Sequence, residues 1–395
     1  MLKSVLIALR ILFAVAIFSC VPSTPAQSSV SDFKTLLRKE AAFDEKDLAA
    51  LDKGEAVVRS LPSEEKREVS ICGVIKLRDI GDMSLKPFVV KMSQHDDKTV
   101  LSWGKFSTPP VFADLRSLKL EDRDVEDMKN CEVGNCELKM SAAMITRLHN
   151  EIDWNAPEYQ SEAMQLFRKM LAEYVIDYIQ RGDKALLQYD NRKTPVRLAD
   201  DHRMLLEGVL FLDELAPEFG KYIRNFPAEN LPGVEHEFDW TKVDFGLRPL
   251  VTLTHTASFA FQRNGLDQYL IATRGIYASR YVDSSLALVM LVRDSATDNY
   301  LVFTNISRSN SLSGAFSDLK RTVVAGQSET KVKDMLTRSK GLIERDAAVS
   351  SQPSPAESGG LIASVTRYLR KPLVLLAIAV MVGAVVFLFF RRTGK

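Results

Sequence analysis

His255 occupies the apolar side of the run Leu250 to Phe261, in step with Val251, Leu253, Ala257, Phe259 and Phe261. An imidazole in that position is either a core group satisfied by a backbone carbonyl or a hydroxyl, or a polar group orienting a ligand inside a cavity. Arg280 poses the same choice, because it stands between Tyr277 and Tyr281 in an apolar stretch. A guanidinium there needs a carboxylate, water or an anionic ligand. Asp239 and Asp283 are the expected carboxylates, and a ligand carboxylate or phosphate is the alternative. His255, Tyr277, Arg280 and Tyr281 are therefore the ligand-binding candidates, with structural pairing the plainer reading for His255 and Arg280.

Other chemistry is sparse. The sequence holds no Gly-rich phosphate loop, no Gly-x-Ser-x-Gly elbow, no His-Glu-x-x-His and no zinc-ligand cluster, so no catalytic residue, cofactor or metal is assigned. Glu235-His236-Glu237 reads as a solvated loop rather than a metal or acid–base cluster. Asp153-Trp154 and Asp239-Trp240 are expected to cap and pack, and Arg263 and Arg308 to sit at strand ends in solvent. Cys131 and Cys136 flank the turn dipeptide Gly134-Asn135. In an exported protein this spacing points to a disulfide, with free thiols or redox and metal chemistry as alternatives. So small a ring contributes about 2 kcal/mol. Cys72 reads as a small buried hydrophobe.

The elements that would position these residues follow from periodicity. Thr252, Thr254, Thr256 and Ser258 alternate with the apolar set, which is the pattern of a strand with one buried face. Arg263-Asn264-Gly265 signals a turn. Ile276 to Arg293 is apolar on both sides and reads as one interior strand with a central bulge; Tyr300 to Ile306 reads as a third strand. Phe316 to Ile343 has helical spacing. Upstream, 55–61 and 68–77 read as strands, as does 99–106; Leu85 to Met92 reads as a helix capped by Ser84. Residues 141–226 become almost wholly helical. The fold class expected is α+β: an antiparallel sheet, a long C-terminal helix, a helical block inserted between two groups of strands, and one transmembrane helix.

Formal net charge is +1 over 395 residues, so no basic field points to nucleic acid. Lys3 and Arg10, an apolar run and a Pro/Ser/Thr stretch make 1–26 a secretory signal, with Cys20 a weaker lipidation candidate. Leu373 to Phe390 is an uncharged apolar run of 18 residues, about 27 Å as a helix and close to a bilayer core. The organisation expected is signal 1–26, an N-terminal α/β part 27–140, the helical block 141–226, sheet and long helix 227–345, a tether 346–371, a transmembrane helix 372–390 and a basic tail 391–395. That places a soluble domain outside the cytoplasm, in a bacterial periplasm or at the cell surface, on a single-pass anchor.

Tyr277-Ala278-Ser279-Arg280-Tyr281-Val282-Asp283, then Tyr300 to Asn305 and the helix from Phe316, resemble the end of the helix-grip proteins, the START-like and polyketide-cyclase-like domains. The whole chain also resembles a group of bacterial exported proteins. The helix-grip resemblance implies a curved antiparallel sheet wrapped around the last helix, with a lipid or other apolar molecule held between them. The function expected is a membrane-anchored, extracytoplasmic module binding such a molecule. The alternative is an envelope structural or interaction protein that binds a protein partner through the helical block. An enzyme using His255 and a tyrosine is the least supported reading, since no nucleophile and base stand at diagnostic spacing.

Overall fold

The computed structural model describes residues 32–350, apart from 79, 81–98, 245, 296 and 315. The signal 1–26, the helix 85–92, most of the tether and the apolar run 372–390 lie outside these residues. No helix among the described residues is long and apolar enough to cross a membrane.

Three early strands, β1 (Val57–Leu61), β2 (Glu68–Leu77) and β3 (Val100–Lys105), form where the β-branched alternation predicts them. Five more follow the helical block: β6 (Glu235–Val243), β7 (Leu250–Arg263), β8 (Leu266–Ala278), β9 (Ser284–Arg293) and β10 (Asn299–Arg308). All eight join one antiparallel sheet in the order β1-β2-β10-β9-β8-β7-β6-β3. β2 therefore docks beside the last strand while β3 closes the opposite edge. A small ladder, β4 (Gln188–Tyr189) with β5 (Val196–Arg197), lies apart.

The single strand expected over 276–293 is two strands. Ile276 to Ala278 ends β8, the chain turns through 279–283, and β9 begins at Ser284. Both strands are buried on both faces, so the apolar run carried no alternation to mark the turn. Glu235-His236-Glu237, expected as a solvated loop, opens β6, which runs on to Val243.

Helices cover both sides. The C-terminal helix α9 (Ser317–Ser350) runs unbroken through Gly326 and beyond Ile343. Its Val324, Val332, Met335, Leu336 and Ile343 pack over β1, β2 and β10 and belong to one buried apolar cluster with Ile71, Ile75, Leu301, Phe303, Ile271 and Val289 of the sheet. Gly73 of β2 lies close beneath α9: an added Cβ would lie 2.6 Å from Val332 Cγ1 and 2.9 Å from Leu336 Cδ1. The opposite face is covered by α1 (Phe33–Ala41), α2 (Glu45–Asp52), α6 (Leu198–Glu207), α7 (Leu212–Leu215) and α8 (Pro217–Arg224) over β2, β9 and β10. Beside them, α3 (Asp122–Lys129), α4 (Ala142–Glu151) and α5 (Tyr159–Arg181) cover the ends of β6, β7 and β8. Asp32, Asp44 and Ser141 cap α1, α2 and α4 through their side-chain oxygens. Cys131 and Cys136 form a disulfide around Gly134, which sits at φ +85°. Cys72 is a buried free thiol, and burial pushes its ionisation up.

Candidate functional site

Alternation along β6 and β7 sends different chemistry to the two sides of the sheet. His236 and His255 go to the helical-block side, with Phe238, Trp240, Leu253 and Ala257 as strand neighbours. Asp239, Thr241, Thr252, Thr254 and Thr256 go to the α9 side, where Val243 and Leu250 already belong to the α9 cluster.

On the helical-block side four groups form a line. Tyr222 Oη lies 2.6 Å from His236 Nε2, His236 Nδ1 lies 2.8 Å from His255 Nε2, and His255 Nδ1 lies 3.0 Å from Tyr178 Oη. Tyr178 comes from α5, Tyr222 from α8 and the histidines from adjacent strands. A neutral imidazole donates through one nitrogen and accepts through the other, so the four satisfy one another with protons pointing either way along the line. Phe226 and Phe238 flank His255 at 4.6 Å between ring centroids. Burial holds the His255 imidazole well below its usual range, and His236, Arg274 and His202 push it further down. Burial alone lowers His236. Nearby, fully buried Arg274 donates to Asp183 at 2.6 Å, and His202 Nε2 lies 3.0 Å from the Gly275 carbonyl.

The α9 side carries a row of hydroxyls and one buried carboxyl, with the exposed Glu237 at its rim. In the register Asp239 lies opposite Thr254, Thr241 opposite Thr252, and Thr256 opposite Thr273. Thr256 Oγ1 and Thr273 Oγ1 are 3.2 Å apart, and Thr252 Oγ1 donates to the Thr241 carbonyl at 3.4 Å. Thr241 Oγ1, Thr254 Oγ1 and, further across on β10, Asn305 Nδ2 are buried without a hydrogen bond. Asp239 is 3% exposed. Its carboxyl is pushed up to about 7, first by burial and then by Glu237, against the opposing pull of Lys105. The row runs into the apolar floor formed by Ile271, Val289, Leu291 and Phe303.

The sequence candidates divide between these places. His255 joins the four-membered line. Tyr277 Oη donates to the Lys139 carbonyl at 3.1 Å on the same side as His255. It reaches that side because of a bulge: Leu253 pairs with Tyr277 but Thr254 pairs with Gly275, leaving Ile276 as the extra residue. Without it, alternation from Tyr269, Ile271 and Thr273 would put Tyr277 under α9. Arg280 pairs with Asp124 at 2.8 Å and Asp127 at 2.6 Å, not with Asp239 or Asp283. Tyr281, at φ +58°, packs half-buried against the α9 cluster. The four do not converge.

Several groups were invisible or misjudged in the sequence. His236 is part of β6 rather than of a solvated loop; the alternation His236, Phe238, Trp240 was the available signal. Arg308 is buried on Glu68 and Asp201 and Arg263 is paired with Asp294, so neither stands in solvent at a strand end. Tyr178 and Tyr222 sit at ordinary helical core positions. Nothing local marks them as partners of histidines on strands. Among the described residues no group of three or more His, Cys, Asp or Glu is placed to hold a metal ion. Comparison with protein-family models, curated proteins and solved structures found no match for the chain.

Proposed function

We propose that the chain is a membrane-anchored, extracytoplasmic binding module of the START-like kind, holding a small molecule with an apolar body between the sheet and α9. The observation that carries this reading is the composition of the α9 side. A contiguous apolar floor runs into buried polar atoms that have no partner among the described residues. Each such atom left unpaired costs about 1–3 kcal/mol, a cost that a bound molecule supplying the partners offsets. The apolar run Leu373 to Phe390 supports the anchor, which would keep the module beside a lipid reservoir.

Native mass spectrometry and solvent extraction of the full-length protein, purified in a neutral detergent, test this. The expected result is a small molecule retained in near-equimolar amount by the wild type and lost in Thr254→Leu/Thr256→Leu, with the circular dichroism spectrum unchanged. A wild-type protein that retains nothing, and binds no environment-sensitive apolar fluorophore, overturns it. Crosslinks running from 141–226 to another envelope protein, with the α9 side empty, would support the interaction-protein alternative.

A further inference from the structure

Asp239 stands apart from the other buried carboxylates. Asp124, Asp201 and Asp283 each face an Arg or Lys, whereas the Asp239 carboxylate makes no hydrogen bond or ion pair with any described residue. The charged groups acting on it are Glu237, on its own strand, and Lys105, its neighbour on β3. The Lys105 ammonium is bound to Glu237, and these two side chains are 48% and 50% exposed. An open, ion-paired rim at the sheet edge thus leads inward to Asp239, and beyond it to Thr254 and Thr241, which are 2% and 0% exposed. Those two hydroxyl oxygens are the unpartnered ones.

One carboxylate and two hydroxyl oxygens without a hydrogen bond stand at neighbouring positions on one face, Asp239 opposite Thr254 and two residues from Thr241, and carry a single negative charge. Divalent cations of the hard type take six or more oxygens, usually with several carboxylates. A primary ammonium carries one positive charge and three N–H donors. Its charge-assisted bond to the carboxylate is of the stronger class, and it removes the isolated buried charge that otherwise keeps Asp239 protonated near neutrality. We propose that Asp239, with Thr254 and Thr241, anchors the ammonium head of an amphiphilic amine whose apolar part lies on the Ile271, Val289 and Phe303 floor. This rests on the binding-module reading above and specifies its ligand class.

Calorimetric titration of the full-length protein in neutral detergent, with hexylamine, 1-hexanol and hexanoate as probes, tests the assignment. At pH 8 hexylamine should bind at least tenfold tighter than either other probe. Asp239→Asn should abolish that preference, so that hexylamine binds no tighter than 1-hexanol, and Thr254→Val should weaken hexylamine severalfold. Lowering the pH from 8 to 5 should weaken hexylamine progressively, because Asp239 becomes protonated while the free amine stays charged. Equal binding of hexylamine and 1-hexanol, or full hexylamine affinity in a folded Asp239→Asn, overturns the anchor and leaves the binding module standing. Failure of all three probes to bind overturns both.

Discussion

The two sides of the β6–β7 ladder treat polarity in different ways. Toward the helical block, side chains from four elements line up as Tyr222, His236, His255 and Tyr178. Buried or half-buried charges there meet opposite charges: Arg280 with Asp124 and Asp127, Arg308 with Asp201 and Glu68, Lys139 with Asp283, Arg274 with Asp183. Arg274 and Arg280 are partial exceptions, since Arg274 Nε and Nη1 and Arg280 Nε make no bond, and His202 Nδ1 on this side is likewise unpartnered. Toward α9, the pairings of comparable strength lie at the β1–β2 edge, where Ser60 donates to Glu329 at 2.6 Å and Lys340 donates to the Lys76 carbonyl at 2.7 Å. Across β6 and β7 the hydroxyls and the carboxyl stay largely unmatched. A polar group that is buried and paired fixes how layers meet; one that is buried and unpaired is the better sign of a site. By that criterion His255 is architecture, and Asp239 is the residue to pursue.

The largest effect should come from removing a charge on the paired side. Lys139→Met leaves Asp283, whose side chain is fully buried, with the Asn310 N–H at 2.7 Å and Arg67 at 3.6 Å but no close cation. A loss of about 3–5 kcal/mol is expected by chemical denaturation. A loss below about 1 kcal/mol would mean that these ion pairs do not fasten the helical block to the sheet.

A matched pair of near-isosteric changes compares the sides directly. Tyr178→Phe strips the partner from His255 Nδ1 and should cost about 1–3 kcal/mol. Thr254→Val deletes a hydroxyl that has no partner to lose, so it should leave stability unchanged or raised by up to about 1 kcal/mol. Equal destabilisation by the two would erase the distinction between the sides.

A per-unit effect of about 1 kcal/mol is expected in pH dependence, and the two sides carry opposite signs. His202, His236 and His255 are held below their usual 6.5, chiefly by burial. The stability they contribute is complete above about 6.5 and is lost as pH falls. Asp239 is raised from 3.8 to about 7, so its contribution is complete below 3.8 and is lost as pH rises through about 7. Acidification from pH 7 to 5 therefore weakens the histidine side and favours Asp239. Asp239→Asn should steepen the loss of stability in that window by up to about 1 kcal/mol per pH unit. Denaturation midpoints that run parallel in wild type and variant would remove Asp239 from the account.

Much of the fold was legible because it is written locally. The β1, β2, β3, β7 and β10 strands, α5 and α9 all have periodicities that survive without tertiary context, and Gly134-Asn135 between two cysteines is a local loop. The β8–β9 turn was not legible, because strands buried on both faces lose their alternation. The site was legible only in part. His255 was conspicuous as a polar residue among apolar ones, whereas the threonines opposite it looked like a solvent face. Arg280 needed a carboxylate, but one supplied by α3, more than 150 residues away in sequence.

By itself the sequence determined which residues alternate, where the long helices run, and that the chain carries an uncharged apolar run of 18 residues from Leu373 to Phe390. Only the tertiary structure decided which side of the sheet each alternating set would face. A two-residue period states that Thr252, Thr254 and Thr256 share a side, but not what covers it. That is decided only when α9 packs on the same side over β1, β2 and β10, and one extra residue at Ile276 turns Tyr277 to the other side.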